Sequence, residues 1–380
     1  LRITSAGITS VTGSIAVNGE NYPTEGAFSN RNFIINGAMR IAQRGSTFTV
    51  NSTDTFTLDR FEIRMGNSLD IDSTVTRESL SLADSPVGFR NALKITPNST
   101  STPAGNQNGV IVYAIEAQDV CCLNYGTANA LPVTVSFYVK SNKTGIYCLQ
   151  LMAHDSGYTI VKEINVINSW QRVEVTFPPL TAGTGIDDNP GLGISIYLSL
   201  CAGVDDHTTE TGWYSHDLFT TTANQVNFFD NTDNEFFLTG YQFEIGEKAT
   251  PFVNTLFTED LAKAQRYYEK SYAVNTDPGT VTDSGGYQAR NAYVNGGNNS
   301  SNTAVAPLRV DFKTTKRVGT YTVVTYSTQD GASGKIYNQS DTSNIDGTAA
   351  MKGESGFYIR PSSPQQVGEV LMAHYTADAE

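Results

Sequence analysis

In the run Val133-Thr-Val-Ser-Phe-Tyr-Val-Lys140, Val133, Val135, Phe137 and Val139 share one parity, and polar or amphipathic side chains fill the other. Successive side chains of an extended chain point to opposite faces, so the run predicts a strand with one buried face. Similar runs at 57–64, 92–96, 109–117, 145–153, 160–166, 172–177, 193–200 and 236–245 predict further strands. Gly145-Ile-Tyr-Cys-Leu-Gln-Leu-Met152 follows the first run after a short polar turn, and the two read as a hairpin. Many short strands with few 3.6-residue patterns predict an all-β chain built on a jelly-roll-like antiparallel sandwich. A charged fraction of 17% beside 10% aromatics suits short strands joined by Thr, Ser, Asn and Gly turns.

The sandwich is expected over residues 31–256. Before it, residues 1–30 carry Ile3, Ile8, Val11, Ile15 and Val17 between glycines, a β-strip too short to bury its own apolar face. Such a strip is expected to assemble with copies of itself. A connecting segment over 257–272 predicts a helix from Glu259 to Ser271, with Thr258 as N-cap, acidic residues in its first turn, and Phe257, Leu261, Ala264 and Tyr268 on one stripe. Residues 273–380 read as a smaller β-domain, with strands at 286–294, 308–312, 321–327, 356–360 and 370–376.

Two segments about two hundred residues apart carry a more specific signal. Asn32-Phe-Ile-Ile-Asn-Gly-Ala-Met-Arg-Ile-Ala-Gln-Arg-Gly45 and Thr57-Leu-Asp-Arg-Phe61 form one; Gly240-Tyr-Gln-Phe-Glu-Ile-Gly-Glu-Lys-Ala-Thr-Pro-Phe252 and Ala264-Gln-Arg-Tyr-Tyr-Glu-Lys270 form the other. In the first, Phe33, Ile35, Met39 and Ile41 fall on one parity and Asn36-Gly37 favours positive φ, which predicts strand, turn, strand. In the second, Tyr241, Phe243 and Ile245 alternate with Gln242, Glu244 and Gly246, predicting a strand with one buried and one solvated face, stopped by Thr250-Pro251. These strings resemble the N-G-x-M-x-I-x-Q-R-G, L-D-R-[FW], Q-x-E-x-G-x-x-A-T-P-[FY] and Q-R-Y-Y motifs of tail-fibre and other appendage proteins of tailed bacteriophages, and the resemblance covers roughly residues 32–272. Ser169-Trp-Gln-Arg-Val-Glu-Val-Thr-Phe177 resembles a strand of carbohydrate-binding jelly rolls, and the ending Tyr375-Thr-Ala-Asp-Ala379 resembles the finish of phage fibre tips. The resemblance implies a virion protein assembled as a homotrimer in the host cytoplasm, joined to other tail proteins through the N-terminal strip, with residues 273–380 at the exposed tip. Within the motif Arg40, Arg44, Asp59 and Arg60 read as structural, Arg44 and Asp59 as a charge-assisted hydrogen bond, and Gln265-Arg266-Tyr267-Tyr268 as packing.

With 25 basic against 38 acidic residues, a net charge of -13 and no long basic stretch, the chain is unsuited to nucleic acid. No apolar run is long enough for a membrane helix, so no membrane insertion is expected. The chain opens on Leu1 with no signal segment and reads as lacking upstream sequence. Cys121, Cys122, Cys148 and Cys201 lack metal-ligand spacing and read as free thiols. His154, His207, His216 and His374 show no metal motif either. Asp187-Asp188, Asp205-Asp206 and Glu210 supply carboxylates that glycoside hydrolysis or a Ca²⁺ ion can use, although no motif sets them apart from solvated acidic loops. Neither a catalytic residue, a metal nor a cofactor is expected.

Two clusters are candidate glycan contacts. Trp213, Tyr214 and His216 sit with Phe219, Phe228 and Phe229 in a Thr-, Asn- and Asp-rich segment, where aromatic faces can stack on sugar rings and amides can hydrogen-bond hydroxyls; these large side chains can equally pin a long loop. Tyr287, Arg290, Asn291 and Tyr293 form the second cluster, beside the 295–300 loop. The expected function is non-enzymatic, multivalent adhesion to host surface polysaccharide. A purely structural role, as collar, head fibre or adaptor, and a depolymerase are the rival classes.

Overall fold

The computed structural model describes residues 31–86, 88–216, 218–290, 308–363, 365 and 369–380, with the backbone alone of 15–17, 20–22, 303–304 and 366. Every strand pairing described is antiparallel. Two compact units form. The first gathers the described residues up to Arg40 with Thr49–Thr55 and Phe61–Thr255; the second gathers Ile41–Phe48, Phe56–Arg60 and Leu256–Glu380. Residues 41–48 and 56–60, expected in the sandwich, therefore belong to the second unit. In the N-terminal strip Ile15–Val17 pairs with Glu20–Tyr22.

The first unit is the predicted jelly-roll-like sandwich. One sheet runs, in hydrogen-bonded order, Tyr214–Ser215, Tyr158–Val166, Gly145–Ala153, Leu192–Ala202, Asn108–Glu116, Glu62–Gly66; the other runs Gln171–Phe177, Val133–Ser141, Phe236–Ile245, Asn91–Pro97, Ser73–Ser79. The expected hairpin of Val133–Ser141 with Gly145–Ala153 does not form, because these strands lie in different sheets. The polar residues between them carry the chain across the sandwich, and each strand turns its apolar parity inward. Tyr147 then meets Phe236 of the facing sheet at 5.4 Å, an arrangement alternation alone cannot distinguish from a hairpin. Phe137 stacks on Tyr241 at 5.2 Å, and Phe61 packs edge-on against Tyr113 and Tyr241.

Asn32–Gly45 does not form two strands; it is irregular, and the strand expected over 57–64 starts only at Glu62. Met39 and Ile41 are fully buried as expected, but before the Asn36-Gly37 turn the parity is reversed, with Ile34 buried and Phe33 and Ile35 half-exposed. The segment instead docks along Phe236–Ile245. The Asn32 amide donates to the Tyr241 carbonyl, its oxygen accepts the Phe243 N–H, Phe33 N–H reaches the Phe243 carbonyl, and Tyr241 N–H reaches the Gly37 carbonyl. Asn36 takes the expected positive φ, 62°. Gly37 is required for a different reason: a Cβ there would stand 2.1 Å from the Tyr241 oxygen.

The face of Phe236–Ile245 expected to be solvated is also covered, since Gln242 and Glu244 are fully buried. Glu244 pairs with Arg31 at 2.5 Å and accepts the Thr250 N–H and hydroxyl, each at 2.8 Å, and the Gln242 amide at 2.7 Å. Gln242 in turn accepts the Val253 N–H. A buried carboxylate needs this many donors to replace water. The motif residues of the two segments thus lock to one another.

In the second unit, Val370–Asp378 is the hub, pairing with Tyr268–Lys270, Tyr287–Arg290, Thr322–Tyr326 and Lys335–Asn338. Ser343–Gly353, Gly356–Pro361 and Leu308–Asp311 extend the sheet. Val310, Ile336, Phe357, Ile359, Leu371 and Tyr375 form its core. The helix runs Phe257–Gln265, shorter than expected, and its N-cap is Leu256 without a side-chain cap, not Thr258. It ends where Tyr268–Lys270 joins the sheet, so hydrogen bonding to Val370–Asp378 overrides the continuing helical stripe. Asp59 accepts the Gln43 backbone and side-chain N–H groups at 2.6 Å, while the hydrogen bonds of Arg44 run to Asp378, correcting the expected Arg44–Asp59 pair. Arg44 lies over the Tyr268 ring at 4.0 Å and Arg60 over Tyr267 at 3.5 Å, which gives the Q-R-Y-Y string its packing role. Burial opposes the Arg44 charge, but Glu380, Asp378 and Asp59 outweigh it and raise its pKa.

Candidate functional site

The segment carrying Trp213, Tyr214 and His216 is tied to the strands it crosses. Gln150 accepts the Thr220 N–H and donates to the Leu218 carbonyl, Gln225 accepts the Cys148 N–H, and the Thr222 hydroxyl donates to Glu163. Phe219 packs against Val110, Val112, Met152 and Tyr197, and Phe228 and Phe229 are fully buried. Trp213 donates its indole N–H to the Pro178 carbonyl at 2.8 Å and meets the buried Tyr125 ring edge-on at 5.8 Å. Large aromatics here act as anchors. Tyr214 and His216 lie on one edge strand and its flank, their rings nearly parallel at 5.7 Å and 19°; both are half-exposed, as Trp213 and Phe219 also are.

In the second cluster, strand Tyr287–Arg290 alternates in burial. Tyr287 packs into the core beside Tyr375, at 5.6 Å between ring centres, whereas Arg290 is exposed. The two side chains therefore project from opposite faces and form no joint site. Asn291, Tyr293 and the 295–300 loop lie outside the described residues.

A third site was not anticipated from the sequence. Gly88, Phe89, Tyr138, Arg172, Pro251, Phe252 and Asn254 line a cavity of about 250 Å³ in the sandwich unit. Phe89 is its buried wall, with Tyr138 at 5.3 Å and Phe252 at 5.0 Å, both half-exposed. A β-bulge in Phe236–Ile245 makes room for this packing. Gly240 there has φ 63°, and a Cβ would lie 2.7 Å from Phe89 and 2.9 Å from Tyr138. Arg172 is held by the Thr250 carbonyl and by Glu174 at 3.3 Å. The available signal was Tyr138, an aromatic on the non-core parity of the 133–140 run; its partners come from loops that strand periodicity does not register.

Several carboxylates of the acidic loops accept hydrogen bonds from nearby groups. Asp155 accepts the Asp187 N–H, Asp187 accepts the Asn189 amide, and Asp206 accepts the Asn108 amide, with burial pushing the Asp206 pKa up to about 6. Among the described residues no group of three His, Cys, Asp or Glu side chains could hold a metal ion. All four cysteines are free thiols; burial raises the Cys201 pKa to about 12, which keeps it protonated. His154 contacts the Ser195 hydroxyl at 2.8 Å, and burial lowers its pKa. His374 sits fully buried between the Ser271 hydroxyl and the Thr282 carbonyl, its ring stacked on Tyr272 at 3.8 Å.

No protein-family model matches this chain, and no curated protein does. Several solved structures align with it. The enzymatically active domain of tailspike protein 4 from bacteriophage CBA120 is 9% identical with a TM-score of 0.29, over 57% of this chain and 21% of that one. This chain thus spans about a fifth of the tailspike chain. A putative sugar-binding protein from Bacteroides thetaiotaomicron is 13% identical with a TM-score of 0.29, over 57% of this chain and 100% of its own. The family 11 carbohydrate-binding module of a Clostridium thermocellum cellulosomal cellulase is 13% identical with a TM-score of 0.25, over 54% and 98%. At these scores the alignments add nothing to the topology described above.

Proposed function

We propose that the protein is a virion subunit of a tailed bacteriophage, a tail-fibre component that grips host surface glycan through many weak, identical contacts on a homotrimer, without catalysis. The observation that carries this reading is the lock between the two motif segments. Asn32 and Gly37 bond or pack against Tyr241 and Phe243 across some two hundred residues of chain, and Gln242, Glu244 and Thr250 bond to one another within the second segment; all belong to the resemblance to phage appendage domains. Glycan recognition is supported by partly exposed aromatic surface on a rigid sandwich, at Tyr214 and His216 and at Tyr138 and Phe252. A non-catalytic role is supported at the Ser271–His374 contact, where the second His374 nitrogen meets a backbone carbonyl and Ser271 accepts the Tyr375 N–H. Trimerisation raises effective concentration, so modest single-site affinity suffices for adhesion.

The test is binding of the full chain to immobilised bacterial surface polysaccharides, with released reducing ends assayed on the same material and virions imaged with a labelled antibody to the chain. The expected result is binding without reducing-end release and label on a tail appendage. Steady release of reducing ends favours the depolymerase class, and label with no polysaccharide binding favours a purely structural role.

A further inference from the structure

We propose that the cavity bounded by Phe89, Tyr138, Arg172, Pro251, Phe252 and Asn254 seats one uncharged pyranose ring of a glycan. This deepens the glycan-binding reading above and rests on it. Three features define the ligand class. At about 250 Å³ the cavity falls below the roughly 300–1,000 Å³ of drug-sized sites, room for one ring and not for a chain. Its half-exposed rings, Tyr138 and Phe252, offer π faces to the C–H face of a sugar, while the exposed Asn254 amide at its rim can meet hydroxyls. The only charged side chain in the lining, Arg172, already has its charge matched by Glu174 at 3.3 Å, so an acidic sugar gains no unpaired cation there.

The cavity is also built in advance. Phe89 N–H is fixed to the Pro86 carbonyl, Arg172 to the Thr250 carbonyl, and the loop bearing Pro251 and Phe252 follows Thr250, which Glu244 holds by two hydrogen bonds. Side chains ordered before the ligand arrives cost little entropy on binding, which matters most for a small, weak ligand.

The test is calorimetric titration of the full chain with neutral and with carboxylated oligosaccharides, using wild type, Tyr138→Ala, Asn254→Ala and, as comparator, the surface variant Glu235→Ala. Thermal melting of each variant checks folding; Asn254 is exposed and its loss leaves the sandwich untouched. The expected result is binding of a neutral glycan that falls roughly tenfold in Tyr138→Ala and about threefold in Asn254→Ala, with Glu235→Ala unchanged. Wild-type affinity in both cavity variants would overturn the cavity assignment and leave the glycan reading standing. Binding confined to carboxylated glycans would overturn the uncharged class. No binding of any glycan by wild type would overturn the cavity and the reading together.

Discussion

Replacing Glu244 with Ala removes the acceptor at the centre of the lock. Four donors lose this acceptor, the Arg31 guanidinium, the Thr250 N–H, the Thr250 hydroxyl and the Gln242 amide, although Arg31 still reaches the Thr250 hydroxyl and Gln242 the Thr250 carbonyl. Arg31 and Glu244 have side chains only 7% and 0% exposed, so water cannot step in without opening the structure. Breaking one partner out of a buried ion pair costs about 3–5 kcal/mol. For a unit of this size each kcal/mol lowers the melting temperature by about 2–4 °C, so the expected drop is roughly 6–20 °C. The assay is intrinsic fluorescence during heating. With tryptophan excited selectively, the signal comes from the chain's 2 tryptophans, Trp170 and Trp213, which both lie in the sandwich unit, so it reports that unit alone. A matched control is Glu235→Ala, which removes a partly exposed pair with Lys94 and is expected to cost about 1 kcal/mol or less. A loss for Glu244→Ala no larger than that control would refute the lock as an energetic feature.

Gly37→Ala forces a Cβ to within 2.1 Å of the Tyr241 oxygen and should destabilise the same unit by about 1–3 kcal/mol or more, read by the same fluorescence melt. Arg44→Lys keeps the charge but loses the planar stack on Tyr268 and the two-nitrogen contact with Asp378; a drop of roughly 1–2 kcal/mol in the second unit is expected, followed by urea unfolding and far-ultraviolet circular dichroism. Burial holds His374 below the ordinary imidazole value of about 6.5, with the Thr282 carbonyl and Asp283 opposing. Between the two values the unfolded chain binds a proton that the folded chain lacks, so the second unit should lose stability as pH falls from about 7, and His374→Gln should flatten that slope. Asp206 has the opposite sign: its folded pKa of about 6 exceeds the ordinary 3.8, so its contribution is present at low pH and is lost as pH rises through about 6. Urea midpoints of wild type and Asp206→Asn, measured between pH 4 and 7 by tryptophan fluorescence, check this.

The alternating runs carried most of the sandwich, because inner-face residues such as Val133, Val135, Phe137 and Val139 owe their parity to a core that any sandwich must bury. Sheet membership was not legible. Val133–Ser141 and Gly145–Ala153 look identical as a hairpin or as a crossing, and only the strands that arrive between and beside them decide. Strands such as Ser73–Ser79 and Ser343–Gly353 went unseen because Ser, Thr, Asn and Gly dilute their pattern; Ser73–Ser79 buries only Val75 as an apolar side chain, and pairing with neighbours holds both strands. The motif strings marked where long-range contacts fall but not what they are. Gln242 and Glu244 read as solvated because alternation cannot show that Arg31 and Thr250 return to cover them. For the same reason the cavity around Tyr138 escaped notice, whereas the more conspicuous Trp213 proved to be anchored to the Pro178 carbonyl.

A crystal structure of the full chain grown with a neutral oligosaccharide that it binds shows where the sugar sits. Density for a single pyranose between Tyr138 and Phe252, with Asn254 bonded to a hydroxyl, is the predicted result. A sugar ordered elsewhere, with this cavity holding solvent alone, would contradict it.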